Sequence, residues 1–503
     1  MTTNLLLGVD LGTQSVKAAL FGTDGGCRAE AAREVAVRRR SAEEVDQAPE
    51  DFYAAAVATI SACMSSCGCE PSDVAAVGVA GQMAGILGVG PGGEAVTPYD
   101  SWLDSRCRPQ LDEIEKALGT TVTALTGCPP MVAHAPKMLW WRRERPRANA
   151  EVAKWVVPSA FVTGRLCELS AEELYIDWTH LHFSGLADAQ AGCWSSQLVE
   201  GVGIAPSQLP RIVAPTDIVG ALAKEAASAC GLTAGVPLVA GLGDTAAGVL
   251  GAGIVRPGQL LDTAGTASVL AISADSFRPD MTGRLVTMKG GLPGQWISLS
   301  YLAGGDLLSW LGRSLGPVPL QELVGEAQDA PAGRAIFVPH LGGRILPSAP
   351  GARGGWVGIN LSHNRGDLVR SVLEAIAFEY AGYLERALEL FPELVPSEVR
   401  VIGGGSDNKL WDQIKASALG LPYVGLGREN FSCWGAAIVA GSAVGVIPDP
   451  AAAALSATAE SSRAEPDPEL RRVYDLLRPS YEAAVEMLVT PGTFAPQPKE
   501  VPW

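Results

Sequence analysis

Gly8-Val9-Asp10-Leu11-Gly12-Thr13-Gln14-Ser15-Val16-Lys17 follows the apolar run Leu5-Leu6-Leu7 and leads into Ala18-Ala19-Leu20-Phe21. A glycine ahead of a hydroxyl residue lets the backbone turn tightly between two strands and gather N–H groups at one point, which suits a phosphate. Asp10 stands where a phosphate-bound Mg²⁺ would take a carboxylate ligand. A second turn of this kind, Leu261-Asp262-Thr263-Ala264-Gly265-Thr266-Ala267-Ser268, lies about half a chain later and leads into Val269-Leu270-Ala271-Ile272. Two such turns predict two similar domains facing one nucleotide. Gly12, Thr13 and Gln14 would approach it from one side, Gly265 and Thr266 from the other.

Outward from the first turn, the pattern reads as strands over 5–9 and 16–21, an Asp24-Gly25-Gly26 hairpin turn and a third extended stretch over 34–39. A helix over 49–65 follows, with a Pro-Glu-Asp first turn suited to the helix dipole, and then a buried strand over 74–79. This order describes a mixed sheet in an α/β protein rather than a Rossmann unit. The second half repeats the plan. Strands are expected over 236–241, on both sides of Gly265-Thr266, over 296–300 and over 399–402. Helices are expected over 244–251, 305–315, 367–391 and 433–443, with another capped by Ser406-Asp407 and stopped near Leu419 by Gly420 and Pro422. Residues 451–462 read as a surface helix or loop. The domains expected are 1–248 and 249–490, joined by a tight hinge without a long linker, and 491–503 is a proline-rich loose tail.

The composition narrows the field. At 503 residues, 47% hydrophobic and only 18% charged, the chain can bury ample core and shows no sign of global disorder. A net charge of -16 argues against nucleic acid or an anionic membrane as the main partner, while leaving room for a local anion site. No apolar run reaches membrane-spanning length, and Met1-Thr2-Thr3-Asn4 lacks the basic region of a secretory signal, so a cytoplasmic location is expected. The ten scattered cysteines read as reduced and mostly buried. Cys63, Cys67 and Cys69 cluster but lack the fourth ligand and the spacing of a zinc site.

Phosphoryl transfer needs a phosphate cradle, Mg²⁺, a base beside the acceptor hydroxyl and exclusion of water. Asp244, in Gly241-Leu242-Gly243-Asp244-Thr245-Ala246-Ala247-Gly248, sits at a strand-to-helix junction among small residues that leave room for a substrate. A carboxylate there can take a proton from a hydroxyl; equally, it can serve only as the helix N-cap. Gly403-Gly404-Gly405 ahead of a helix would let an adenosine lie against backbone, or is simply a tight turn. Lys17 either neutralises phosphate charge or is a solvated strand residue.

These motifs, in this order, resemble the FGGY family of carbohydrate kinases, and within it the xylulose kinases, from the first strand to about Gly445. The resemblance is carried by Gly8 to Thr13, Gly81-Gln82-Met83, Trp102-Leu103-Asp104-Ser105-Arg106, Ala135-Pro136-Lys137-Met138-Leu139-Trp140, Gly243 to Gly248, Gly265-Thr266 and Gly403-Gly404-Gly405. It implies two actin-like, ribonuclease-H-like domains closing over ATP and a sugar. By the same resemblance Asp244 is the catalytic base and Asp10 the metal-linked aspartate. Gly305, Gly404, Gly405 and Asn408 line the adenosine site. Gln82, Met83, Ala84, Trp102, Asp104 and Thr245 lie on the sugar side.

Ala84 stands where the resemblance leads one to expect histidine, Leu103 and Thr245 where it expects asparagine, and Gly343-Arg344-Ile345-Leu346-Pro347 replaces Gly-Glu-Arg-Thr-Pro. A pocket built to bond hydroxyls discriminates strongly, so these lost polar contacts bear on which sugar is taken. His180 and His182, two apart in Asp177-Trp178-Thr179-His180-Leu181-His182-Phe183, would share one face of an extended segment and either replace those contacts or bond backbone. Trp140, Trp141 and Trp155 read as core or interdomain packing. The reading that results is an ATP- and Mg²⁺-dependent sugar kinase, D-xylulose first among its acceptors and ribulose, erythritol or gluconate as alternatives. Its partner is a small-molecule sugar, with a homodimer left open. A nucleotide-driven conformational switch shares the phosphate turns, but neither the Gln82-Met83 loop nor Asp244 belongs to it, and no DNA-binding appendage supports a sugar sensor.

Overall fold

The computed structural model describes residues 4–264, 268–302, 304–316, 318–403, 408–456 and 458–490. Two seven-stranded sheets organise it. In the first, Leu5–Leu11 runs antiparallel to Ser15–Gly22, which runs antiparallel to Cys27–Glu34. On its other side Leu5–Leu11 is parallel to Val74–Gly81, which pairs in parallel with Pro237–Val239 and Leu242–Gly243. The second sheet repeats this order with Leu260–Ala264, Ser268–Ala274, Trp296–Leu302, Val399–Ile402 and Tyr423–Leu426. Each sheet ends in an antiparallel edge strand, Ile218–Ala221 in one and Glu460–Ala464 in the other. Long helices, Pro49–Cys67 and Arg365–Leu390, carry the chain back from the third strand to the fourth in each half. This is the duplicated ribonuclease-H-like plan that the paired turns imply.

Alternation along Leu5–Leu11 sets its two faces. Leu5, Leu7 and Val9 pack in the cluster that includes Phe52, Ala56 and Ile60 of the helix Pro49–Cys67. Leu6 joins a second cluster, shared by both halves, with Phe21, Leu250, Leu261, Phe431 and Trp434. At its centre the helix Phe431–Ala443, from the second half, lies against the first sheet and against the helix Asp244–Gly251. The approach is backbone to backbone. A β-carbon on Gly8 or Gly78 would run into the carbonyl of Cys433 or Ala436, and one on Gly435 into that of Ala247.

Four local expectations are corrected. The third strand is Cys27–Glu34 rather than 34–39, because the turn at Gly25 (φ 78°) brings Cys27 straight back into register with Phe21. Trp178–Phe183 is a 3₁₀ helix and not an extended segment, because the Asp177 carboxylate caps it by accepting from the N–H of Thr179. Residues 451–462 divide between the helix Pro450–Ser456 and the edge strand Glu460–Ala464. The helix Lys409–Leu419 is capped by Asn408, whose side chain accepts from the N–H of Trp411. Ser406, Asp407 and the tail 491–503 lie outside the described residues. Trp141 and Trp155 belong to the core of the first half, and the Trp141 indole donates to Asp100 Oδ2 at 2.6 Å.

Candidate active site

Leu11 and Gly243 register with Gly81 from either side, which brings Asp10 and Asp244 to the carboxyl ends of strands flanking Val74–Gly81. Burial, and then the charge of Asp244, push the Asp10 carboxyl up to about 7, while its cross-strand neighbour Lys17 pulls the other way. Asp10 Oδ1 is buried with no hydrogen-bond partner among the described residues. Asp244 is also held above the ordinary carboxylate range, chiefly by burial, against the N–H of Thr245 and the charge of His180. Asp244 is the first helical residue; the cap position is Gly243, so the cap reading of Asp244 does not hold. Its Oδ1 accepts from the N–H of Thr245 at 2.6 Å.

The loop before Asp244 is fixed by a buried carboxylate that sequence reasoning passed over. Asp177 accepts from the Thr179 hydroxyl and faces His180 Nδ1 at 2.6 Å, and the Gly243 N–H donates to Thr179 Oγ1 at 2.8 Å. Thus His180 is oriented by a carboxylate rather than by backbone. His182 lines the cleft beside Phe183, and burial, then the charge of His180, lowers its imidazole to about 3, so it is neutral at physiological pH. The Asp-x-Thr spacing of an Asx-type cap was the sequence signal available for this cluster.

In the first turn the Gly12 N–H donates to the Ser15 carbonyl at 3.0 Å, closing the loop. Thr13 lines the cleft, and its hydroxyl accepts from Trp102 Nε1 at 3.0 Å and donates to Gln82 Oε1 at 3.4 Å. Gln14 is exposed and its carbonyl accepts from Val35, and Lys17 is exposed on the next strand. Of the residues expected on the nucleotide side, Gly265, Thr266, Gly404 and Gly405 lie outside the described residues. Gly305 falls in the helix Gly304–Ser314. Asn408 spends its side-chain oxygen as a cap. Directly before the second turn, Asp262 is held by the fully buried Lys415 at 2.5 Å and by the Tyr380 hydroxyl at 2.8 Å.

A cleft of about 530 Å³ opens in front of Asp244, lined by Met83, Ala84, Trp102, Leu103, His182 and Thr245 among others. Gln82 and Asp104, expected on its surface, stand buried behind it with internal partners instead. Gln82 Nε2 donates to the Gly12 carbonyl and to Gln47 Oε1, and Asp104 accepts from the N–H of Val45 and from Arg106 Nε. Lys137 is buried and donates to the carbonyls of Ser101 and Asp104, so the Ala135-Pro136-Lys137 motif shapes the Trp102 turn from beneath. Cys63 donates to the Ala18 carbonyl in the core.

The Asp10 site fits a phosphate-bound Mg²⁺. Its orphaned oxygen faces a like charge, which a divalent cation would relieve. Among the described residues no group of three or more His, Cys, Asp or Glu could hold a metal by itself. The remaining ligands would then be phosphate and water, as Mg²⁺ commonly prefers.

Two like-folded halves around a cleft with paired carboxylates at strand ends define a phosphotransferase of the actin-like ATPase class. The chain belongs to the FGGY family of carbohydrate kinases: the family's N-terminal domain matches residues 5–251 and its C-terminal domain residues 262–444. It is an ATP-dependent sugar phosphotransferase. The chain is 26% identical over 443 residues to a xylulose kinase of Bacillus subtilis, covering 86% of this chain and 87% of that one. It is 24% identical over 468 residues to a gluconokinase of the same organism, covering 88% of each. A ligand-bound xylulose kinase from Lactobacillus acidophilus has the same fold, with a TM-score of 0.90, 21% identity, and coverage of 98% and 100%. No described helix is long and apolar enough to cross a membrane.

Proposed function

We propose that the enzyme transfers the γ-phosphoryl group of ATP to a terminal hydroxyl of a ketose, with D-xylulose, giving D-xylulose 5-phosphate, as the first acceptor to expect. The observation that carries this reading is Asp244, a carboxylate with a raised pKa at the mouth of a helix, lining the cleft beside Asp10. Asp244 takes the hydroxyl proton as the acceptor oxygen attacks the γ-phosphorus, and the bond to the β,γ-bridging oxygen breaks to release ADP. Asp10 would hold Mg²⁺, and the ion would supply charge neutralisation on the phosphates. The Asp177–Thr179–Gly243 chain positions the base, and Trp102 holds the Thr13 turn against the sugar-side loop. Residues 1–248 would supply the sugar side and 249–490 the nucleotide side, and closure of the two would exclude water.

The xylulose kinase relative supports D-xylulose, and the gluconokinase relative keeps sugar acids in view, with ribulose and erythritol as further alternatives. A cytoplasmic setting, where ATP is supplied, fits this chemistry. Coupled ADP release is measured over ketoses, aldoses, polyols and sugar acids. D-xylulose is expected to stimulate turnover most among the fully hydroxylated sugars; a larger rate with gluconate or erythritol would replace it. If no acceptor stimulates turnover, the kinase reading falls.

A further inference from the structure

We propose that His182 anchors the acceptor: its imidazole hydrogen-bonds a hydroxyl other than the one phosphorylated, and so decides which acceptors fit beside Asp244. This rests on the reading of Asp244 as the base. His182 lines the cleft in front of Asp244, yet it is only 3% exposed. Its Nδ1 is buried with no hydrogen-bond partner among the described residues. A buried polar atom left in this state is costly unless a ligand or water serves it. A hollow of about 10 Å³ also borders the ring, but the apolar side chains of Ile114, Val122, Cys128 and Met131 help to wall it and give a water few partners.

The other polar side chains in and near the wall are placed differently. His134 and His180 are buried, but neither lines the cleft, and Asp177 claims His180 Nδ1. Arg108 and Ser348 are exposed and Ser105 is half-buried, so water competes for them. Arg344 donates to the Leu346 carbonyl and faces Glu379, and the Thr245 hydroxyl donates to Asp244 Oδ1 at 3.3 Å.

The imidazole is also fixed relative to the base. It belongs to the 3₁₀ helix Trp178–Phe183, which Asp177 caps. In that helix Thr179 Oγ1 accepts from the Gly243 N–H, one residue before Asp244. The Trp178 indole donates to the Gly290 carbonyl at 2.8 Å, which ties the helix to the second half as well. The Phe183 ring packs against the imidazole, with centroids 4.0 Å apart. A ring held in this way loses little freedom on bonding a hydroxyl, and disfavours an acceptor that brings none to it. Being uncharged at neutral pH, it can accept from a hydroxyl at one nitrogen or donate to one at the other.

The test measures D-xylulose binding by calorimetry without nucleotide, and its turnover by ADP release, in the parent protein, His182→Leu and His182→Asn. Leucine removes both nitrogens, whereas asparagine returns a polar atom near the place of Nδ1. His182→Leu should weaken D-xylulose binding and raise its KM about tenfold, the scale of one lost buried hydrogen bond, with the KM for ATP and the melting temperature of the unliganded protein unchanged. His182→Asn should recover most of that loss. Analogues of D-xylulose that each lack one of the other hydroxyls identify the group bound. One of them should bind the parent about tenfold more weakly than D-xylulose does, and bind His182→Leu equally well. Unchanged D-xylulose binding in His182→Leu overturns the proposal, as does a lowered melting temperature with both KM values raised alike. Analogue penalties that are the same in the parent and in His182→Leu also overturn it. Weaker binding in His182→Leu with no ADP release from the parent keeps His182 as the anchor and overturns the kinase reading alone. No binding of D-xylulose to the parent overturns both this proposal and D-xylulose as the acceptor.

Discussion

The indole N–H of Trp102 donates to the Thr13 hydroxyl at 3.0 Å, joining the loop after Asp100 to the first glycine turn across 89 residues of sequence. One bond therefore ties together two parts of the cleft wall, which the proposed function assigns to ATP and to the sugar. Trp102→Phe keeps a ring and removes only the donor. It should raise KM for acceptor and for ATP together, each about 2- to 10-fold, as expected for one modest hydrogen bond. Steady-state kinetics with each substrate varied in turn check this, and a rise in only one KM would contradict it.

Asp244→Asn keeps the shape of the side chain and removes its basicity. We expect kcat to fall about 10²- to 10⁴-fold, the usual scale of general acid–base catalysis, with ADP affinity little changed. Single-turnover rates and calorimetric ADP titration measure the two sides separately.

Asp10→Asn should separate stability from activity. The carboxylate is buried against Asp244 and is pushed up to about 7, so neutralising it removes a repulsion. Thermal unfolding without Mg²⁺ should shift upward by a few degrees, while the Mg²⁺ concentration for half-maximal rate rises and kcat falls about 10²-fold. A variant that loses both stability and activity would point to a purely structural carboxylate.

Glu379 predicts a pH dependence away from the cleft. Burial works against its charge, but His340, Arg344 and the Tyr481 hydroxyl outweigh this and hold it at about 2 against an ordinary 4.5. Because the folded pKa lies below the unfolded one, the stabilisation is fully present above about pH 4.5 and is lost as pH falls toward 2, on the order of 3 kcal/mol. Glu379→Gln should lower the unfolding free energy at pH 7, and the gap from the parent protein should close between pH 4.5 and 2 in denaturant titrations.

Local chemistry made the strand–turn–strand at Gly12, the repeat at Gly265 and the helix beginning at Asp244 legible, since apolar runs and glycine placement act over a few residues. The tie from Thr13 to Trp102 could not be read this way, because the two meet only through the sheet and the loop beyond it. Gln82 and Asp104 are polar residues in matching motifs, yet Gln47 and Val45 claim their polar atoms from distant segments, with Arg106 adding a local bond to Asp104. The strand Glu460–Ala464 carries exposed, polar residues with no apolar alternation, and exists because Tyr423–Leu426 offers it an open edge. The 3₁₀ turn at Trp178 departs from the strand that alternation predicts because the Asp177 carboxylate caps it.

The helix Phe431–Ala443, seated backbone to backbone on Gly8 and Gly78, also sets an order of birth for the molecule. The strands Leu5–Leu11 and Val74–Gly81 are made before the helix that covers one of their faces. At ordinary elongation speeds about 360 residues must be added in between, so that face waits roughly 20–70 s for its cover. During that interval the apolar face of the nascent sheet is uncovered, and slowing translation beyond residue 81 lengthens its exposure. The glycines that permit so close a fit thus leave one face of the first sheet without its cover until the helix has been made.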